Sequence, residues 1–519
     1  MRIAFRVDAS ARIGVGHLTR CLTLAARFKA LGAHVVFVCV KSDQYSYAQL
    51  LQLAYRVIFL EDIRRPRESV TDYRLPEVKW TPHDQEIDAS ALTKALGSSP
   101  LYDWLIVDHY GLNIFWERAV RVITKRLMVI DDLANREHDC DLLLDQGCLG
   151  DNEQRYAPLV TNNCRLALGP GYALLSQEYI SLRRERLRHS GSVSARRKIL
   201  VSFGGTDQKA LYEFVIQAFR SANLKNVDLQ VVLGGSSHHV EFFRSQTEFD
   251  ESIQIFRQTT TLAELFATTS LFIGGIGHTT WERCCLGVPA LGISLAQNQE
   301  QLAGRLDRYG VLNWIGTKET VTYGILHQQL RLFFATGSLD AERQFLYGLV
   351  DGRGTPRILT ALSAERSSQV EIRPAEEKDT DELFHWVNDS RVTQFSFRQK
   401  AVKFSEHQDW FKKQLKSIDV EIFIGEIQVD MPVGQIRFSR EQTYWKITYS
   451  VESIVRGLGY GRQLLEKGIQ ALKQKGHSGT LSAEVHKSNR ASINLFEELD
   501  FIPIKGRLGD IVEFRKDLN

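Results

Sequence analysis

His17 closes the run Ile13-Gly14-Val15-Gly16-His17, which joins an apolar segment, Arg2–Val7, to a stretch of helical spacing. Gly14 and Gly16 permit a tight turn and a close approach of backbone to ligand. The partial positive charge of a helix start disfavours imidazolium. A neutral imidazole facing a cleft accepts a proton, which is what a general base does. A complementary pattern lies at Gly274-Gly275-Ile276-Gly277-His278-Thr279-Thr280, running into a helix predicted over Trp281–Leu286. Amides there, around Gly277, Thr279 and Thr280, suit a pyrophosphate, and Glu282 is placed to accept hydrogen bonds from ribose hydroxyls. Gly204-Gly205-Thr206-Asp207 forms a second phosphate-facing loop, and Asn298-Gln299 follows a strand at Pro289–Ser294. Glycines in such loops also serve close helix–sheet packing; two loops in one region favour a nucleotide site.

A third pattern stands near the C-terminus. Val451 ends a strand, and Arg456-Gly457-Leu458-Gly459-Tyr460-Gly461 precedes a helix bearing Leu464, Leu465, Ile469 and Leu472 on one face. The spacing Arg-x-x-Gly-x-Gly turns amides outward at a helix start, again suited to a pyrophosphate. Asn489, Ser492, Leu495 and Phe496 follow downstream.

The elements that position these residues fall into three regions, as 519 residues allow. Through residue 166, the apolar runs Arg2–Val7, Val35–Val40, Trp104–Asp108, Leu127–Asp131 and Leu142–Asp145 alternate with helical segments. That pattern predicts a parallel sheet covered on both faces, with ligands beyond the carboxyl ends of its strands. Residues 167–362 repeat the theme with strands at Ile199–Phe203, Leu229–Leu233 and Leu271–Ile273, each running into a double glycine. Residues 363–370 read as a small, polar linker. Residues 371–519 change to paired strands, such as Glu421–Ile427 and Gly434–Ser439, and form an α+β module. The basic stretch Arg183–Lys198 reads as a solvated helix end and loop.

The formal net charge is +3, which argues against a charge-driven nucleic-acid binder. No run approaches the length of a membrane span, and Arg2 and Arg6 stand where a signal peptide needs apolar residues. A cytoplasmic protein is expected, with no membrane insertion. Seven cysteines without a CxxC pair argue against a disulfide framework. His138-Asp139-Cys140-Asp141 tempts a metal reading, but no further residues at ligand spacing support it.

Together the stretches Phe5–Ala25, Asp108–Leu112, Ile130–Gln146, Gly169–Leu175, Ser202–Asp207, Gly275–Leu291 and Ala296–Gln299 resemble the UDP-sugar hydrolase family of pseudaminic acid biosynthesis, over roughly residues 1–350. The resemblance implies a GT-B-like pair of Rossmann-type α/β domains. It also implies hydrolysis of UDP-2,4-diacetamido-2,4,6-trideoxy-β-L-altropyranose to UDP and the free sugar. The family's catalytic base falls on His17. Water attacks the anomeric carbon opposite the departing UDP, whose diphosphate charge is met by helix-start amides without a metal. Asp108 and His109 would line the sugar pocket, and His138–Asp141 becomes part of a shared loop. A UDP-sugar glycosyltransferase is the rival within the same architecture, distinguished by dependence of UDP release on an acceptor.

The Gly loop at 456–461 and the segment Asn489–Phe501 resemble the GNAT acetyltransferases, so the third region is expected to be a GNAT domain using acetyl-CoA. Val451, Arg456, Gly457, Gly459, Tyr460, Gly461, Asn489 and Ser492 would bind it. The opening portion, with Trp386–Asp389 and Glu406–Phe411, is similar to the sugar-nucleotide acetyltransferase of the same pathway. That likeness implies acetylation of a 4-amino UDP-sugar, whose product is the hydrolase's substrate. Other enzymes of nonulosonic acid synthesis are then possible partners. The family often carries Tyr where Phe496 stands, as proton donor to the thiolate, and Gly where Asp500 stands. Ser492 or water is a candidate substitute donor, and Glu484 a candidate aid to amine deprotonation. An inactive or CoA-sensing module is the alternative.

Overall fold

The computed structural model describes residues 1–9, 16–41, 47–61, 80–97, 100–150, 152–188, 196–204, 208–234, 237–257, 262–335, 339–395, 401–504 and 510–518. Gly14, Gly205, Thr206 and Asp207 therefore lie outside the described residues, as does the side chain of Asn298. The chain divides into two compact units, Met1–Thr355 and Pro356–Asn519.

The first unit holds two parallel sheets. One contains β1 (Arg2–Val7), β2 (His34–Val40), β3 (Arg56–Leu60), β4 (Trp104–Asp108), β5 (Leu127–Ile130), β6 (Leu142–Asp145) and β7 (Arg165–Leu168), in the order β3-β2-β1-β4-β5-β6-β7. Every residue of β4, β5 and β6 is buried. These strands therefore read as unbroken apolar runs rather than alternating ones. The helix Gly16–Ala30 buries Leu18, Cys21, Leu22, Ala25 and Phe28, and the chain leaves it through Gly32 at φ +77°.

The second sheet contains β8 (Arg197–Ser202), β9 (Val227–Leu233), β10 (Ile253–Arg257), β11 (Leu271–Gly275), β12 (Ala290–Ser294) and β13 (Asn313–Thr317), in the order β10-β9-β8-β11-β12-β13. In both sheets the order reverses between the first strand and the fourth, β1/β4 and β8/β11. Such a reversal leaves a crevice at the carboxyl ends, because successive connections go to opposite sides. His17, Asp108 and the loop after β11 all stand at these two points.

The expectation of a solvated basic stretch over Arg183–Lys198 fails at Arg183 and Arg186, whereas Arg188 and Arg196 are exposed. Arg183, in the helix Gln177–Arg188, is fully buried. Its Nη1 donates to the carbonyls of Cys285 and Val350 at 3.1 Å each, and its Nη2 to that of Tyr347 at 2.9 Å. Arg186 likewise donates to the carbonyls of Phe266, Ala267 and Thr269. These acceptors stand at the C-terminal ends of other helices, where carbonyls lack partners along the helix. A guanidinium satisfies several at once.

The second unit carries a mixed sheet of β14 (Glu371–Pro374), β15 (Val420–Gln428), β16 (Met431–Glu441), β17 (Tyr444–Val451), β18 (Thr480–His486), β19 (Ile502–Ile504) and β20 (Ile511–Asp517), in the order β14-β15-β16-β17-β18-β20-β19. β17 and β18 run parallel but pair only through Tyr444–Lys446 and Thr480–Ser482. Beyond that point β17 continues to Val451 and β18 to His486 without pairing to each other. Residues 365–370 are tied to the helix Tyr460–Gln474: the Tyr460 hydroxyl donates to the Glu365 carbonyl, and Gln463 bonds both Ser368 and Val370. Among the described residues, no helix is long and apolar enough to cross a membrane.

Candidate functional sites

At the β1/β4 crevice, the helix Gly16–Ala30 presents His17 to the end of β4. His17 Nδ1 lies 2.5 Å from Asp108 Oδ1. Arg20, one turn along the same face, donates from Nε to Asp108 Oδ2 at 2.6 Å and from Nη2 to Oδ1 at 2.7 Å. Burial alone would raise the carboxyl pKa of Asp108. The charges of Arg20 and then His17 outweigh it and hold the group well below the usual carboxylate range. A permanent carboxylate against Nδ1 places the imidazole proton there and leaves Nε2 as the basic atom, the arrangement of a base oriented by a buried acid. Tyr110 meets the imidazole ring edge-on at 4.7 Å between centroids. The His17 side chain remains 11% exposed, enough to meet a ligand.

His109 is turned the other way. Its side chain is only 3% exposed, with Nδ1 accepting from the Gly111 amide and Nε2 3.4 Å from Asp8 Oδ2. Burial lowers its pKa. Asp8 in turn bonds Arg6, which also holds Asp88, and the Trp116 indole donates to Asp88. This buried network braces β1 against its neighbours, and His109 belongs to it rather than to the face that His17 presents.

On the other sheet, Gly274 packs tightly: a Cβ there would come within 2.3 Å of the Ser202 carbonyl oxygen. Gly277 faces open space and is exposed. The helix starts at Thr279, two residues before the predicted Trp281. The amides of Thr280 and Trp281 already donate to the carbonyls of Gly277 and His278. The donors that a phosphate can take therefore lie earlier, over Gly277–Thr279. Thr280 is buried, so Thr279 is the hydroxyl nearer solvent. Burial pushes Glu282 up to about 7, against the effect of its hydrogen bond with Tyr179. Gln299 Oε1 accepts from the Leu295 amide, fixing the turn after β12.

His278 is the residue that sequence reasoning passed over. Its Nδ1 lies 3.2 Å from Gln146 Nε2, at the end of β6 in the first sheet. Burial first, then the charge of Arg20, push its pKa down to about 4, while Asp108 and His17 also act on it. Neutral imidazole from one sheet thus stands within electrostatic reach of the His17 group from the other. A second miss, Arg20, had a signal in its i+3 spacing from His17. In the stretch His138–Asp141, His138 and Cys140 are buried while Asp139 and Asp141 are half-buried: His138 Nδ1 lies 2.6 Å from Glu117 Oε1, and the Asp139 amide donates to Glu117 Oε2.

In the second unit, Gly457 and Gly459 adopt φ +82° and +92°, the left-handed turn that sends the chain into the helix Tyr460–Gln474. The Arg456 guanidinium is held inward, donating to the Val451 carbonyl and to Asp389 Oδ1 at 2.8 Å. Tyr460 is buried, so its backbone is what it can offer a ligand. Gly461 lies against Tyr449, Val451 and Leu495. Asn489 caps the helix Arg490–Glu498 by accepting from the Ser492 amide. Ser492 Oγ bonds the Tyr449 hydroxyl. Glu484 is paired with Lys446 Nζ at 2.8 Å, which engages the carboxylate suggested as an amine base. Phe496 is buried in the core.

Comparison with known proteins divides along the same line. Residues 369–502 match the family described as Acetyltransferase (GNAT) domain. The UDP-2,4-diacetamido-2,4,6-trideoxy-beta-L-altropyranose hydrolase of Campylobacter jejuni is 22% identical over 310 residues, 60% of this chain and 97% of that protein. A crystal structure of MurG from Acinetobacter baumannii aligns with 68% of this chain and 96% of its own at 15% identity, with a TM-score of 0.46. An uncharacterized protein of Methanocaldococcus jannaschii is 22% identical over 515 residues, 96% of each chain, so it is similar along both units. The chain thus joins a part distantly similar to a UDP-sugar hydrolase to a part that matches the GNAT acetyltransferases.

Proposed function

We propose that this protein is a bifunctional enzyme acting on one UDP-linked amino sugar in two consecutive steps. Residues 1–166 supply the base, and residues 167–362 hold UDP. His17 Nε2 takes a proton from water as the water oxygen attacks the anomeric carbon. The C1–O bond to UDP breaks, and the anomeric centre inverts. Amides over Gly277–Thr279 face the diphosphate and Glu282 the ribose. The observation that carries this reading is the His17–Asp108–Arg20 arrangement at the strand-order reversal of the first sheet. The distant likeness to the Campylobacter jejuni hydrolase supports UDP-2,4-diacetamido-2,4,6-trideoxy-β-L-altropyranose as the substrate.

In residues 371–519, acetyl-CoA would lie with its pyrophosphate on the 456–461 loop and its acyl arm beside β17, where that strand no longer pairs with β18. The unpaired stretch leaves backbone donors and acceptors for an extended arm to take. The acceptor is the 4-amino group of the precursor UDP-sugar. Incubation of the protein with that 4-amino sugar nucleotide, with and without acetyl-CoA, tests both steps. CoA should appear only with both substrates, and UDP should follow acetylation without any added acceptor sugar. UDP release that needs an acceptor would contradict the hydrolase reading, and absence of CoA would contradict the acetyltransferase reading.

A further inference from the structure

With a phenylalanine at position 496, the GNAT-like unit lacks the hydroxyl that often protonates the departing thiolate. The Phe496 ring is committed to the core, with centroids 5.0 Å from Phe501 and 5.6 Å from Phe514. Another phenol reaches the same neighbourhood from β17. The Tyr449 hydroxyl lies 2.9 Å from Ser492 Oγ, one helical turn before Phe496, and its ring meets Phe496 edge-on at 6.0 Å. Tyr449 stands in the part of β17 that has ceased to pair with β18. Its ring also lies 3.6 Å from where a Cβ on Gly461 would be, beside the glycine loop.

We propose that Tyr449 is the proton donor to the thiolate leaving group, with Ser492 as its relay; this rests on the acetyltransferase reading of the second unit. Burial raises the Tyr449 pKa above its ordinary value, so the phenol keeps its proton at neutral pH. In the step, the nitrogen lone pair of a primary amine forms an N–C bond to the thioester carbonyl carbon. The C–S bond breaks with its electron pair on sulfur. The phenolic proton moves to that sulfur, and the proton lost by nitrogen returns to the phenolate through the Ser492 hydroxyl. Thioester and amine become thiol and amide, with Tyr449 restored.

The test uses the full chain and two readouts. Tyr449→Phe should lower kcat for CoA release by about 100-fold, the lower range for loss of a general acid, and leave the KM for acetyl-CoA nearly unchanged. Adding Phe496→Tyr to that variant should recover at least about tenfold of the loss, if a phenol in this place is what counts. Independently of any amine, the thiol of bound CoA, followed by thiolate absorbance, should titrate about one pH unit higher in Tyr449→Phe than in the parent, because a hydrogen-bond donor to the thiolate is gone. Equal titration in the two proteins would overturn the role of Tyr449, as would an unchanged kcat. Failure of the parent chain to bind CoA would overturn the acetyltransferase reading and this inference with it. Binding and the titration shift without turnover of the 4-amino sugar would support the Tyr449 assignment and remove only the substrate.

Discussion

Asp108 lies ninety-one residues beyond His17, yet its Oδ1 is 2.5 Å from the imidazole Nδ1, and Arg20 grips both carboxylate oxygens. The carboxylate is shared between an imidazole and a guanidinium that never loses its charge. In the proposed mechanism, orientation of the base and its electrostatic support therefore come from one buried group.

Replacing Asp108 with Asn should expose that dependence. The amide preserves the shape but loses the charge that selects the Nδ1–H tautomer. A fall in kcat for UDP release of ~10²–10⁴ is expected by analogy with other oriented histidine bases, with UDP affinity little changed. The Arg20 charge is left without its buried partner, so the variant should also be less stable. Single-turnover UDP release alongside calorimetric UDP binding checks both; wild-type turnover would contradict the orientation role.

Glu282 gives a pH signature of stability. Its folded-state pKa is raised from the ordinary 4.5 to about 7, so between those values the folded chain binds more protons than the unfolded one. Stability is then lost as pH rises from about 4.5 through about 7, by at most ~3.5 kcal/mol at about 1.4 kcal/mol per tenfold. Glu282→Gln removes the titrating group, and its curve of Tm against pH should be flatter across that window. Parallel curves for the two proteins would contradict it.

Asp500 adopts φ +59°, in the left-handed region where the resemblance expects Gly. Aspartate tolerates that region better than most residues, yet a Cβ there still costs energy. Its ion pair with Lys516 Nζ, at 3.9 Å on an exposed surface, contributes little. Asp500→Gly should stabilise the second unit by about 0.5–1 kcal/mol, read as a higher denaturant midpoint. A lower midpoint would show that the aspartate makes a contribution beyond its backbone.

The strands were legible because burial on both faces leaves continuous apolar runs; Leu142–Asp145 in the sequence is the observed β6. The position of His17 at a helix start was legible from the glycines before it. Arg183 was misread because an arginine-rich stretch looks solvated until the carbonyls around it are known. His278 was overlooked for a related reason: its partners, Gln146 and the His17 group, come from distant strands that meet only in the fold. The Tyr449–Ser492 pair, 43 residues apart, left no local trace in the spacing either.

In the proposed function, His17 activates water at the anomeric carbon of a UDP-sugar. His17→Leu removes the basic atom and keeps an apolar side chain at the helix start. Its UDP release should fall to background in a single-turnover assay on UDP-2,4-diacetamido-2,4,6-trideoxy-β-L-altropyranose, with UDP binding close to that of the parent. Retained UDP release by that variant would show that His17 is not the base.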